Sequence, residues 1–279
     1  MKLGLFTAAF GDRPLEDVAR WAAGAGFEAL EVHCPPGAPL DFELPQLEIS
    51  ALAYYPNHLD PDDGAREAAH AQLRAVIDAA QRLGVGLVCT FAGADPSKTL
   101  DENLERFREV WPPLVGYAEE RGVRIAIENC PMVYERSRWP GGTNLAYCPA
   151  AWDVMFEAIP SPALGLNLDP SHLVWLQIDY ERAVRDYGDR IFHVHAKDTE
   201  IRRDELYRRS ILSAGWGWQA GRMPGRGEID WGRFVGALRD TGYDGAISVE
   251  HEDEDFEGSA ELLERGFLAA RDALEPLLR

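Results

Sequence analysis

The sequence predicts an α/β fold, a closed parallel (β/α)8 TIM barrel, on three observations. Short apolar runs alternate with longer amphipathic stretches, and there are eight of each when the chain is read in order. Glycines recur just before the apolar runs, as in GAGFEAL, RLGVGLV, ERGVRIAI and DTGYDGAI, the pattern of a helix C-cap followed by a buried strand. The length, 279 residues, suits one barrel, so a single domain over residues 1–279 is expected.

Taken in order, LGLFT (3–7) is the first strand, ended by Gly11 and Pro14, and the helical stretch LEDVARWAAGAG follows. The N-terminal run has one lysine and a short apolar segment, which reads as this strand rather than as a secretion signal. ALEVH (29–33) and ISALAYY (49–55) are the second and third strands, and AREAAHAQLRAVIDAAQRLG is a long amphipathic helix. GLVCTF (86–91) is the fourth strand, NLERFREVWPPLVGYAEERG a helix, and RIAIE (124–128) the fifth strand. The irregular insert PMVYERSRWPGGTNLAYCP separates it from LGLNLD (164–169), the sixth. IFHVH (191–195) is the seventh, followed by a long connection over 199–229 rich in Arg, Trp and Gly. Loops of that length are usually functional, and both inserts belong at the face where barrel active sites lie. Asp230 is placed to cap the helix WGRFVGALRD, and AISVE (246–250) is the eighth strand. PGRGEIDW (224–231) holds two glycines but neither GxGxxG nor the Walker pattern, so it is not read as a phosphate cradle.

Composition narrows the function. A net charge of -19 repels a phosphate backbone, so no nucleic acid partner is expected. No apolar run reaches the roughly 20 residues of a membrane span, so no membrane partner and a cytoplasmic location are expected. Cys34, Cys89, Cys130 and Cys148 lack CxxC spacing and read as reduced thiols.

Side chains alternate across a strand, so the large aliphatics mark the face that packs on the outer helices. Ile125 and Ile127 oppose Ala126 and Glu128; Leu164, Leu166 and Leu168 oppose Gly165, Asn167 and Asp169. Phe192 and Val194 oppose His193 and His195, and Ile247 and Val249 oppose Ala246, Ser248 and Glu250. Glu128, Asp169, His195 and Glu250 are therefore inward residues at four successive strand ends. Three carboxylates at one barrel mouth repel one another without a cation, and oxygen-rich ligation with one imidazole suits a divalent metal. Manganese is the expected ion, with magnesium, cobalt, zinc and iron as alternatives.

Other residues reach the same mouth. His193 lies one layer below His195, either as a partner behind it or as a satisfied core histidine, and Glu31 and His33 carry the inward parity of the second strand. Lys197 keeps the inward parity beyond the seventh strand, where its ammonium either meets a substrate oxygen or pairs with Asp198 or Glu200. His172 follows Asp169 by three residues and faces the same pocket. Of the aromatics Tyr54, Tyr55, Trp139, Trp175, Trp216 and Trp218 near strand ends and loops, Tyr54 is taken as a substrate contact.

IAIENCPM (125–132), LGLNLDPSHLVW (164–175), FHVHAKDTE (192–200), MPGRGEIDW (223–231) and YDGAISVEHED (243–253) resemble motifs of the sugar phosphate isomerase/epimerase family. These are the xylose isomerase-like barrels that include the ketose 3-epimerases and the inosose dehydratases and isomerases. The resemblance implies metal ligation by Glu128, Asp169, His195 and Glu250, acid/base roles for Glu128 and Glu250, and substrate contact by His172. It implies an isomerase or epimerase acting on a sugar, keto-sugar or inositol-derived ketone through a metal-stabilised enediolate. Where the ketose 3-epimerases place an arginine after the seventh-strand histidine, this chain has AKDTE with Lys197, which departs from a free-ketose epimerase. The same ligands also serve a lyase, a dehydratase or a C-glycoside-cleaving enzyme. An apurinic endonuclease-like hydrolase needs more histidine ligands and a basic groove, and a sugar-binding barrel without turnover does not need Glu128 and Glu250. The partner is a small sugar or polyol-derived substrate, and a homo-oligomer is compatible with the chain.

Overall fold

The computed structural model describes residues 1–44, 47–133, 142–212 and 217–279. Eight parallel strands close into a barrel: β1 (Lys2–Phe6), β2 (Ala29–His33), β3 (Glu48–Ala53), β4 (Leu87–Thr90), β5 (Arg124–Glu128), β6 (Leu164–Leu168), β7 (Ile191–Ala196) and, after two further strands, β10 (Ala246–Val249). Neighbours in sequence pair from β1 to β7, and β10 closes the ring between β7 and β1. The (β/α)8 TIM barrel expected from the alternation is the observed fold. All four cysteines are free, and no described helix is long and apolar enough to cross a membrane.

The helices begin and end as their sequences dictate. Asp62 caps α2 (Asp63–Leu83) by accepting from Ala65 N at 2.7 Å, and Gly84 ends it at φ 70°, a left-handed position that suits glycine. Thr99 and Glu102 form a reciprocal capping box at the start of α3 (Leu100–Val110). Asp230 caps α9 (Trp231–Asp240) through Arg233 N, as expected.

Four details differ from the sequence expectation. The stretch over 103–122 is two helices, α3 and α4 (Pro112–Glu119), because Pro112 has no amide hydrogen to continue the first and starts the second at its first turn. No helix forms among the described residues between β2 and β3, where Pro35, Pro36 and Pro39 remove backbone donors. The connection after β7 is not irregular throughout: β8 (Asp198–Ile201) and β9 (Gln219–Arg222) form an antiparallel ribbon with α8 (Arg203–Arg209) between them. Finally, Phe192 does not share the outer face with Val194. The register slips between Leu166 and Asn167, which face Ile191 and His193, so Phe192 is the extra residue of a bulge. Its ring occupies the space a Cβ on Gly165 would need, 2.5 Å away, and packs among Ala51, Ala53, Leu87 and Ala126 on the barrel floor.

The main core lies between barrel and helices, where Leu30, Leu52, Val88, Ile125, Leu166, Val194 and Ile247 meet the apolar faces of the helices. Inside the barrel, Ala51, Ala53 and Ala126 leave room above Leu87 and Phe192 for polar groups at the C-terminal mouth.

Candidate active site and metal centre

The parity of the strands carries four donor groups to that mouth. Glu128 ends β5, His195 lies in β7, Glu250 follows β10, and Asp169 follows β6 and caps α6 (Pro170–Trp175). Asp169 Oδ1 accepts from Ser171 N at 2.8 Å, which orients the other oxygen. Its backbone is clamped by Asn129, whose Oδ1 accepts from Asp169 N at 2.7 Å and whose Nδ2 donates to Asp169 O at 2.9 Å. Asn144 donates to the carbonyls of Glu128 and Cys130 and accepts from Ala92 N, so it ties β5 to the end of β4.

One ligand atom each from Glu128, Asp169, His195 and Glu250 lies within 4.8 Å of the other three. His195 Nδ1 sits 3.3 Å from Glu250 Oε2 and 3.6 Å from Glu128 Oε1, is buried, and has no hydrogen-bond partner. A buried ring nitrogen left open beside three carboxylates fits a cation of intermediate hardness. The other nitrogen, Nε2, meets Glu31 Oε2 at 2.8 Å. Glu31, fully buried, also meets His193 Nε2 at 2.9 Å and accepts from the Tyr55 hydroxyl at 2.7 Å, while Asn167 donates to that hydroxyl at 3.0 Å. The histidine contacts hold Glu31 well below the usual carboxylate range although burial opposes ionisation. Carboxylate behind imidazole is the arrangement that fixes which ring nitrogen faces a metal.

Lys197 enters the same cluster. Its Nζ lies 2.7 Å from Glu250, 3.1 Å from Asp169 and 3.2 Å from Glu252, and these ion pairs, against the effect of burial, raise its pKa well above the ordinary lysine value. Neither Asp198 nor Glu200 is its partner; Asp198 instead accepts from Gly225 N, Ile229 N and the Trp231 indole. Burial works against ionisation of Glu250, but Lys197 and then His195 hold its pKa at about 2. His172 Nε2 is buried without a hydrogen bond, 3.2 Å from Asp169 Oδ2 and 3.7 Å from Glu128, and its Nδ1 accepts from the Trp175 indole at 3.4 Å.

Glu128, His172, Lys197 and Glu250 open onto a cavity of about 550 Å³ also lined by His33, Phe6, Tyr55, Phe91 and Trp175. Tyr54 is not among them: it packs into the outer core with its ring edge-on to His58, and its neighbour Tyr55 faces the cavity. Ala51 and Ala53 line the barrel interior and Leu52 the exterior, so the same parity carried two residues further assigns Tyr55 inward and Tyr54 outward. Glu252, which also lines the cavity, has the parity of Glu250 and was findable in the same way. Asn129 and Asn144 carry no periodic signal, since their work is done on backbone groups of distant segments. Trp218 is fully buried against Trp175, away from the cavity lining, and Trp139 and Trp216 lie outside the described residues.

Residues 6–275 match the model of the xylose isomerase-like TIM barrel family. The chain belongs to that family. It is 28% identical to the uncharacterized protein YfiH of Bacillus subtilis, over 91% of this chain and 93% of that protein. It is 31% identical to the 3-dehydroshikimate dehydratase of Pseudomonas putida over 62% of this chain, a stretch that spans only 24% of that protein. Two solved structures share the fold: the IolI protein with a bound zinc atom, at TM-score 0.76 and 19% identity over 100% of this chain and 98% of that one, and D-psicose 3-epimerase in the presence of D-fructose, at TM-score 0.74 and 15% identity over 100% and 99%. Within this family fold, the mouth of the present barrel gathers carboxylates, imidazoles, an ammonium and an aromatic wall around one cavity.

Proposed function

We propose that the chain is a divalent-metal-dependent isomerase or epimerase of a keto-sugar or inositol-derived ketone. The open Nδ1 of His195, ringed by Glu128, Asp169 and Glu250, carries this reading. The four residues would hold the ion, and when bound it supplies Lewis-acid polarisation of a substrate carbonyl and its neighbouring hydroxyl.

The remaining chemistry belongs to side chains. Glu128 and Glu250 reach the cavity from strands separated by β6 and β7, so a flat reacting carbon between them presents a face to each. Glu250, which lines the cavity 3.3 Å from His195 Nδ1, is placed to accept a proton from the carbon next to the carbonyl. Return of a proton to the same carbon from the Glu128 side inverts it, and return to the neighbouring carbon moves the carbonyl. His172 and His33 border the space for substrate hydroxyls, and the rings of Phe6, Tyr55 and Phe91 shape the apolar wall.

Lys197 favours a second reading, a dehydratase or other lyase. Its ammonium, 2.7 Å from Glu250, is placed to hold by charge and hydrogen bond the negative charge growing on a departing oxygen on the carbon next to the one deprotonated. This also accords with the dehydratase among the sequence relatives.

Incubation with candidate keto-sugars and inososes in deuterated water separates the readings. Deuterium at the carbon beside the carbonyl with all substituents kept supports isomerisation; release of water or an aglycone transfers the assignment to a lyase. Glu250→Gln is expected to slow exchange at least about 100-fold and to weaken metal binding. Full activity in that variant, or in metal-stripped protein, refutes the mechanism.

A further inference from the structure

A second cavity of about 210 Å³ adjoins the first. The two meet at Pro131, Val133 and Trp175, which line both. The character changes across them. On the polar side stand Glu128, His172, Lys197 and Glu250; on the other, Ala94, Pro96, Leu100, Leu145, Tyr147 and Leu176.

The polar atoms that do border the smaller cavity are mostly engaged elsewhere. Asn103 accepts from Asp95 N at 2.7 Å and donates to the carbonyls of Asp95 and Thr99. Asn144 is engaged with Glu128, Cys130, Ala92 and Gly93. Lys98, half exposed, pairs with Glu102 at 3.6 Å. A hydroxylated sugar ring placed there loses hydrogen bonds to water without replacement, whereas an apolar ring gains contact. Size agrees, since an apolar cavity of roughly 150 Å³ accommodates benzene.

We propose that the substrate has two parts: a hydroxylated keto ring in the polar cavity and a flat apolar or aryl substituent in the smaller one. The inference rests on the sugar reading of the polar cavity and narrows it to glycosides or conjugates of an aryl group. Trp175 is the specificity residue between the two compartments, with its indole committed to His172 on one side and its ring forming wall on the other.

Binding of methyl β-D-glucopyranoside, phenyl β-D-glucopyranoside and phenol to the intact chain tests this, by calorimetry and tryptophan fluorescence. The phenyl glycoside is expected to bind at least tenfold more tightly than the methyl glycoside. Leu100→Trp and Leu176→Trp, which fill the small cavity from opposite walls, are expected to bring the two glycosides within threefold of each other while leaving the methyl glycoside unchanged, and to abolish phenol binding. Glycosides of equal affinity in the parent chain, or phenol binding that survives both substitutions, overturn the aryl site. Failure of both glycosides while phenol binds and is lost in the variants instead sinks the sugar reading and leaves the aryl site standing.

Discussion

Glu31 touches no cavity space, yet three donors converge on it from His193, His195 and Tyr55. Replacing it with Gln keeps the volume but puts an amide where a carboxylate faces two imidazoles, so His195 is no longer held with Nδ1 toward the mouth. Glu31→Gln is expected to lower affinity for manganese by about 10- to 100-fold in a calorimetric titration, with the fold retained by circular dichroism. At this scale the sequence was informative wherever alternation applied. The placements of Glu128, His193, His195 and Glu250 follow from alternation along strands, and the same alternation carried to the end of the third strand turns Tyr55, not Tyr54, to the cavity. Lys197 was undecided for a different reason: alternation aims a side chain but does not say which of several acids it meets, and its partners Glu250 and Glu252 are more than fifty residues away.

Among the elements, the segment from Met223 to Trp231 depends on a buried anion. Asp198 receives hydrogen bonds from Gly225 N at 3.0 Å, Ile229 N at 3.1 Å and the Trp231 indole at 3.0 Å, and a Cβ on Gly227 would lie 2.2 Å from its carboxylate. Asp198→Asn turns an amide toward donors and is expected to cost about 1–3 kcal/mol in urea unfolding. It is also expected to open Met223–Trp231 to limited proteolysis before the barrel; cleavage unchanged from the parent chain refutes this. Strands and long helices were legible because their periodicity is local. The ribbon of β8 and β9 was not, since its two strands are joined by a long connection and recognise each other only through pairing. The bulge at Phe192 was hidden for a related reason: the space it fills is created by Gly165 on the adjacent strand.

The molecule as a whole carries a net charge of -19 and a core histidine that resists protonation. His58 is fully buried with Nε2 3.0 Å from the Thr90 hydroxyl, and burial, with a smaller effect from His70, pushes its pKa down to about 3. Below pH 6.5 the unfolded chain takes up a proton that the folded chain refuses until near pH 3. This contribution is therefore complete above pH 6.5 and is lost as pH falls. Between pH 7 and pH 5 the parent chain is expected to lose about 2 kcal/mol more than His58→Gln, whose amide keeps a hydrogen bond to Thr90. Equal losses in urea titrations of the two proteins exclude the effect. At the mouth, Asp169 and Glu250 are held below the usual carboxylate range despite burial, chiefly by Lys197, and so titrate below this window.

Lys197 also bears on the order in which the protein is assembled. An ammonium built into the chain already sits among Asp169, Glu250 and Glu252, so part of the repulsion between the acids is cancelled by folding alone. Folding then does not wait for an ion: chelator-treated protein is expected to keep its circular dichroism spectrum and unfold cooperatively. If the proposed metal dependence holds, metallation is expected to be the last step of maturation, performed on a finished barrel.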